Sequence, residues 1–141
     1  MTETAVAVIN ASAIRHNLNQ IKSAAVGCRI MAVIKANAYG HGLIETAQIL
    51  SNADGLAVTR VDEGAKLRMA GIRQPILVLE GCAELAEMEL AVEHDLELVV
   101  HDPSHFDMLD ALLNEKVVGI WLKLDTGMSR LGFEPKSLDA C

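Results

Sequence analysis

Lys35 is the residue of this 141-residue sequence best placed for covalent chemistry. It ends the apolar run "IMAVIK" (30–35) and lies within "AVIKANAYGHG" (32–42). An amine at the carboxyl end of a buried strand stands where α/β folds and barrels put their chemistry. Against apolar walls an ammonium loses solvation, and a neutral amine is a nucleophile that forms Schiff bases with carbonyls. An isolated strand-end lysine more often just reaches for water. The residues that follow Lys35 point away from that reading. Ala36, Ala38, Gly40 and Gly42 leave room for a ligand to approach the backbone. Tyr39, the single tyrosine, offers a hydroxyl to an anion such as phosphate. His41, between two glycines, reads as an exposed turn residue.

A second stretch, "WLKLDTGMSRLGF" (121–133), has the same character. Lys123 and Asp125 share one face of a strand, with Leu122 and Leu124 on the other. Charges at the end of an apolar strand need partners. Gly127 suits a turn with positive φ. Arg130 presents a planar fork to a carboxylate or a phenolate oxygen. His101 and His105 have the i, i+4 spacing of a helical metal pair. Asp102, a candidate N-cap, and Pro103 place His101 ahead of the helix, and no third ligand is evident, so no metal is expected. Cys28, Cys82 and Cys141 are odd in number and widely spaced, with no CxxC. That suits a reducing compartment, with Cys28 and Cys82 as small core residues.

The elements that must position these residues alternate along the chain. Five runs rich in Val, Ile and Leu read as buried parallel strands: 30–35, 55–60, 75–81, 96–101 and 117–124. Between them lie helical patterns. Ile14, Leu18 and Ile21 follow Ser12, a candidate N-cap. "GLIETAQIL" (42–50) is a short helix. Val61, Ala65 and Met69 make one stripe, with Met69 in the core and Gly71 as the stop. Leu85, Met88 (also in the core) and Val92 make another, inside an acidic stretch that reads as a solvated helix face. Phe106, Leu109 and Leu113 follow Asp102-Pro103. "AVAVIN" (5–10) is a candidate strand without an evident partner. Such βαβ repetition leaves two architectures open. One is a five-stranded doubly wound sheet of the flavodoxin type. The other is the first part of an eight-stranded barrel, which takes about 250 residues. Only eight residues follow "RLGF", which favours a barrel cut short. The chain is 51% hydrophobic with a net charge of −7. That excludes disorder and disfavours nucleic acid as a partner. No secretory signal is visible, and no apolar run approaches the roughly 20 residues of a membrane span. A soluble, cytoplasmic protein is expected.

"AVIKANAYGHG" resembles, across all eleven residues, the cofactor-lysine motif of bacterial alanine racemases, which use pyridoxal 5′-phosphate (PLP). "KLDTGMSRLG" resembles a second motif of that family, and "PILVLEG" one of its strands. The resemblance runs from "AVAVIN" to "RLGF". It implies an α/β fold, the N-terminal part of a PLP-binding (β/α)8 TIM-type barrel truncated after about five strands. Residues 1–141 are then a partial barrel domain, with residues 1–10 a candidate strand of an absent C-terminal β-domain. It further implies that Lys35 carries PLP as a Schiff base and serves in catalysis. Tyr39 would help hold the phosphate, and Leu79 would touch the cofactor. Arg130 would contact the phenolic oxygen and the substrate carboxylate, and Lys123 would match a lysine that is often carbamylated. The implied activity is interconversion of L- and D-alanine, for peptidoglycan supply or alanine catabolism. The enzyme would be a homodimer whose active sites are shared: the second proton carrier, a tyrosine, comes from the partner's C-terminal domain. The chain's own tyrosine is assigned to phosphate, so the 141 residues alone are expected to be inactive. The alternative is a non-catalytic PLP-binding barrel of cofactor homeostasis.

Overall fold

The computed structural model of the chain describes residues 5–112 and 117–136. All five apolar runs become strands: β1 (Met31–Val33), β2 (Gly55–Val58), β3 (Ile76–Val78), β4 (Glu97–Val100) and β5 (Ile120–Leu122). Each pairs in parallel with the next, in the order β1-β2-β3-β4-β5. Sequential order, with no strand threaded back beside the first, excludes the flavodoxin type and is that of a barrel wall. The architecture is therefore a partial α/β barrel.

The helices follow from the spacing of apolar residues and from their caps. They are α1 (Ala11–Ala24), α3 (Leu43–Ile49), α4 (Val61–Met69), α5 (Leu85–Glu93) and α6 (Ser104–Leu112). The cap of α1 is Asn10 rather than Ser12: its side-chain oxygen accepts from the N–H groups of Ser12 and Ala13. Asp102 caps α6, accepting from the Ser104 N–H at 2.9 Å. Gly71 ends α4 with φ +85°. Met69 is not core. It is 72% exposed, while Val61, Gly64, Ala65 and Leu67 are buried. Gly64 decides that face: an added Cβ would stand 2.7 Å from Leu96. Cys28 is also exposed, contrary to expectation, and Cys82 is buried. Leu113 and Cys141 lie outside the described residues, as do residues 1–4. Residues 5–10 join no strand ladder among the described residues and are exposed.

The sheet has two unlike faces. The outer face, with Ile34, Leu56, Val58, Ile76, Val78, Leu98 and Val100, packs under the helices against Leu67, Met88 and Leu96. Each such side chain contributes about 1.5–3 kcal/mol on burial. The inner face holds a smaller cluster, Ala57, Leu77 and Val99, flanked by Met31 and Leu79. At the edge strand β5 all three residues are exposed.

Between β1 and α3 the chain makes a short turn, α2 (Lys35–Tyr39), of unusual hand. Ala36, Asn37, Ala38 and Tyr39 all take φ between 52° and 55°. Left-handed backbone costs roughly 1–2 kcal/mol for each residue that bears a Cβ. The turn therefore exists only because its surroundings hold it.

Candidate active site

Alternation along each strand decides what the carboxyl ends present. Two residues beyond the inner-face positions Ala57, Leu77, Val99 and Trp121 come Thr59, Leu79, His101 and Lys123. The ladder reaches these ends: the Leu79 N–H donates to Val58 C=O at 2.9 Å, and the Lys123 N–H to Val100 C=O at 2.8 Å. On β1 the Ile34 N–H donates to Ala57 C=O at 2.8 Å, and Lys35 follows. Lys35, Thr59, Leu79, His101 and Lys123 all line one open cleft of about 960 Å³. Arg60, Val99 and Arg130 line it too. Lys35, Leu79 and Lys123 are half-buried.

Arg130 comes from the loop after β5, and that loop is tightly closed. The Asp125 N–H donates to Phe133 C=O, and the Phe133 N–H to Lys123 C=O, each at 2.9 Å. The Asp125 carboxylate accepts from the N–H groups of Gly127 at 2.9 Å and Ser129 at 3.0 Å. These backbone donors, Ser129 first, hold the Asp125 carboxyl below its ordinary value. Gly127 takes positive φ, and at Gly132 a Cβ would stand 2.7 Å from the Asp125 nitrogen.

The cleft's far wall is fastened by the two histidines. The His101 Nε2–H donates to Glu80 C=O at 2.8 Å, and the His101 N–H points at His105 Nδ1 at 3.4 Å. The rings meet edge to face, with centroids 4.6 Å apart. His105 is buried, and burial, helped by the neighbouring His101, lowers its pKa. Both rings thus serve the loop after β3. Among the described residues no three His, Cys, Asp or Glu side chains gather as a metal site. Burial pushes the Cys82 thiol up to about 12, so it is no nucleophile.

Of the residues singled out in the sequence, Lys35, Leu79, Lys123 and Arg130 converge on the cleft. Tyr39 stands on the left-handed turn, 61% exposed and outside the lining. His41 is exposed, its Nδ1 2.9 Å from Ala38 C=O. Sequence reasoning missed Thr59 and Arg60. The signal was present, since "GLAVTR" ends in them just as "IMAVIK" ends in Lys35.

The donor set suits a flat, anionic, aldehyde-bearing group such as PLP. Lys35 supplies the amine, Leu79 and Val99 an apolar wall, and Arg130 and Lys123 positive charge. The volume lies in the range of small-molecule sites.

The sequence matches the family described as alanine racemase, N-terminal domain, over residues 9–141. It is 45% identical over 134 residues to an alanine racemase of Shewanella piezotolerans, covering 95% of this chain and 37% of that protein. It is 44% identical over 138 residues to the biosynthetic alanine racemase of Salmonella typhimurium, covering 98% and 38%. The crystal structure of the biosynthetic alanine racemase from Pseudomonas aeruginosa superposes with a TM-score of 0.87 at 43% identity, over 92% of this chain and 37% of that one. The chain thus spans less than two fifths of the length of these relatives.

Proposed function

The chain belongs to the alanine racemase N-terminal domain family, and on that premise we propose that it forms the lysine-bearing part of a PLP-dependent enzyme interconverting L- and D-alanine. The convergence of Lys35, Leu79, Lys123 and Arg130 on one cleft carries this reading.

Bound PLP supplies an electron sink that acidifies the substrate Cα–H. The chain's own residues do the rest. The Lys35 Nζ would hold the cofactor through its aldehyde carbon and would move a proton at the substrate Cα on its own face. Leu79 would pack against the ring, and Arg130 would hold the phenolic oxygen and the substrate carboxylate. Lys123, were its neutral amine to take up carbon dioxide and lose a proton, would turn from a second cation into a carbamate anion able to steady Arg130. The family resemblance gives Tyr39 the phosphate, which it would have to reach from outside the cleft lining. A proton must also arrive on the opposite face, and Tyr39 is the single tyrosine of the sequence. The family resemblance implies that this carrier is a tyrosine from a C-terminal β-domain of the partner in a homodimer, and with it that residues 1–141 alone do not turn alanine over. Relatives named biosynthetic favour D-alanine supply for peptidoglycan as the role. A cytoplasmic setting goes with that role by the family resemblance. Among the described residues no helix is long and apolar enough to cross a membrane.

The test is a racemase assay on the protein made from its natural reading frame. With added PLP it converts L-alanine to D-alanine, Lys35→Ala abolishes conversion, and residues 1–141 alone show none. Absence of conversion by the unaltered protein refutes the reading.

A further inference from the structure

We propose that Glu63 is a positioning residue for Lys35, bracing the left-handed turn that the lysine begins. The proposal rests on the function assigned above to Lys35.

Glu63 stands in the first turn of α4, one unit along the barrel from β1. Its Oε2 accepts from the Thr59 N–H at 2.9 Å and the Arg60 N–H at 3.4 Å. That much is a helix cap, and one oxygen suffices for it. The second oxygen, Oε1, accepts from the Asn37 N–H at 3.4 Å, in the middle of the turn. One carboxylate therefore joins two neighbouring strand ends, those of Lys35 and of Thr59.

The turn needs such a brace. Its four consecutive positive-φ residues all carry a Cβ. Among the described residues its other hydrogen bonds are local. Asn37 C=O accepts from Gly40 and Gly42 at 3.1 Å, Asn37 Oδ1 accepts from the Leu43 N–H at 2.9 Å, and the Ala38 N–H donates to Ile34 C=O at 2.9 Å. These fix the turn's shape but not its place against the cleft. Asn37 is two residues from Lys35, so a shift of the turn carries the amine with it. Reactions between positioned groups are sensitive to displacements of about 1 Å.

The substitution that separates bracing from capping is Glu63→Gln. An amide has one acceptor oxygen; on the shorter contact, to the Thr59 N–H at 2.9 Å, it keeps the cap and leaves the Asn37 N–H, 3.4 Å away in the wild type, facing an NH2 donor. Three proteins made from the natural reading frame are compared: wild type, E63Q and E63A. The readouts are amide hydrogen exchange over residues 36–40, PLP affinity from the visible absorbance of the lysine-bound cofactor, and the urea midpoint. In E63Q the midpoint stays near wild type. Exchange at 36–40 rises about tenfold and PLP binds about tenfold more weakly, the scale of one hydrogen bond to a charged acceptor. E63A shows both effects and a lower midpoint. Wild-type exchange in E63Q and E63A overturns the brace, and faster exchange with unchanged PLP affinity overturns the positioning role. If E63A does not fold, E63Q decides. If wild type itself binds no PLP, the proposed function fails. The exchange arm still judges the brace: faster exchange in E63Q supports it, and wild-type exchange overturns it.

Discussion

Arg68 offers the sharpest test of how the barrel wall is held together. It leaves the last turn of α4 and is 11% exposed. Its guanidinium donates to four carbonyls: Nε to His94 at 3.0 Å, Nη1 to Ile72 at 2.9 Å and Gln74 at 2.7 Å, and Nη2 to Asp95 at 2.8 Å. One side chain thereby fastens the end of α4, the entry to β3 and the α5–β4 turn, where Asp95 has φ +52°. Desolvation lowers the Arg68 pKa, but no other side chain offers this fork, and it stays charged. Arg68→Met keeps the apolar stem and removes every donor. The carbonyl of Asp95, an exposed residue, recovers water at little cost, and that of half-buried His94 recovers it in part. Those beside buried Ile72 and half-buried Gln74 are the ones left unsatisfied. An unsatisfied buried acceptor costs about 1–3 kcal/mol, so two cost about 2–6 kcal/mol, a large share of the ~5–15 kcal/mol of a typical domain. The assay is urea unfolding, with the midpoint lowered and the slope unchanged. Arg68→Lys recovers only part, because an ammonium cannot span four carbonyls. Since Arg68 sits at the end of the wall away from the cleft, PLP binding by the folded variant is preserved. A loss below about 1 kcal/mol for Arg68→Met would refute the reasoning.

Three further expectations are independent of it. Gly81→Ala would set a Cβ 2.5 Å from Val99 O and 2.8 Å from His105 Cε1 at φ +69°; strain plus overpacking should cost about 2–5 kcal/mol in urea unfolding. Asp125 binds its proton less readily folded than unfolded. Its contribution is therefore complete above the ordinary value of 3.8 and is lost as pH falls through the lower folded value. Protection of the Gly127 and Ser129 amides, taken against the intrinsic exchange rate at each pH, should fall as pH drops below 3.8, and Asp125→Asn should remove that pH dependence. A thiol reagent at pH 8 should label exposed Cys28 and spare Cys82, whose thiol lies at about 12, until the protein is unfolded; peptide mass mapping reads the difference.

The five strands were legible because buried parallel strands are near-continuous runs of Val, Ile and Leu bounded by turns. Their order was not, since the runs carry no record of which neighbour each one meets. Periodicity left the barrel and the doubly wound sheet open; the resemblance carried by "AVIKANAYGHG" and "KLDTGMSRLG" chose the barrel, and the sequential pairing of β1 to β5 agrees with it. Helix faces were legible where one stripe dominates, as at Leu18, and misleading at Met69. There the close approach of Gly64 to Leu96 turns α4 onto a face that apolar spacing alone does not select. Asn10 and Ser12 are equally good cap types; geometry chose the one whose oxygen reaches two N–H groups. That Lys35, Lys123 and Arg130 share one cleft was legible because each charged residue ends, or follows closely on, an apolar strand. The left-handed turn was not, because Ala-Asn-Ala-Tyr carries no strong positive-φ signal. Nor were the backbone contacts of His101 and His105, which depend on where the loop after β3 runs.

The account turns on the Lys35 Nζ as the atom that captures the cofactor. The direct measurement is reduction with borohydride of the protein made from its natural reading frame and incubated with PLP, followed by peptide mass mapping. The account predicts one phosphopyridoxyl group, placed on Lys35 and absent in Lys35→Ala. An adduct spread over surface lysines, or none at position 35, would contradict it.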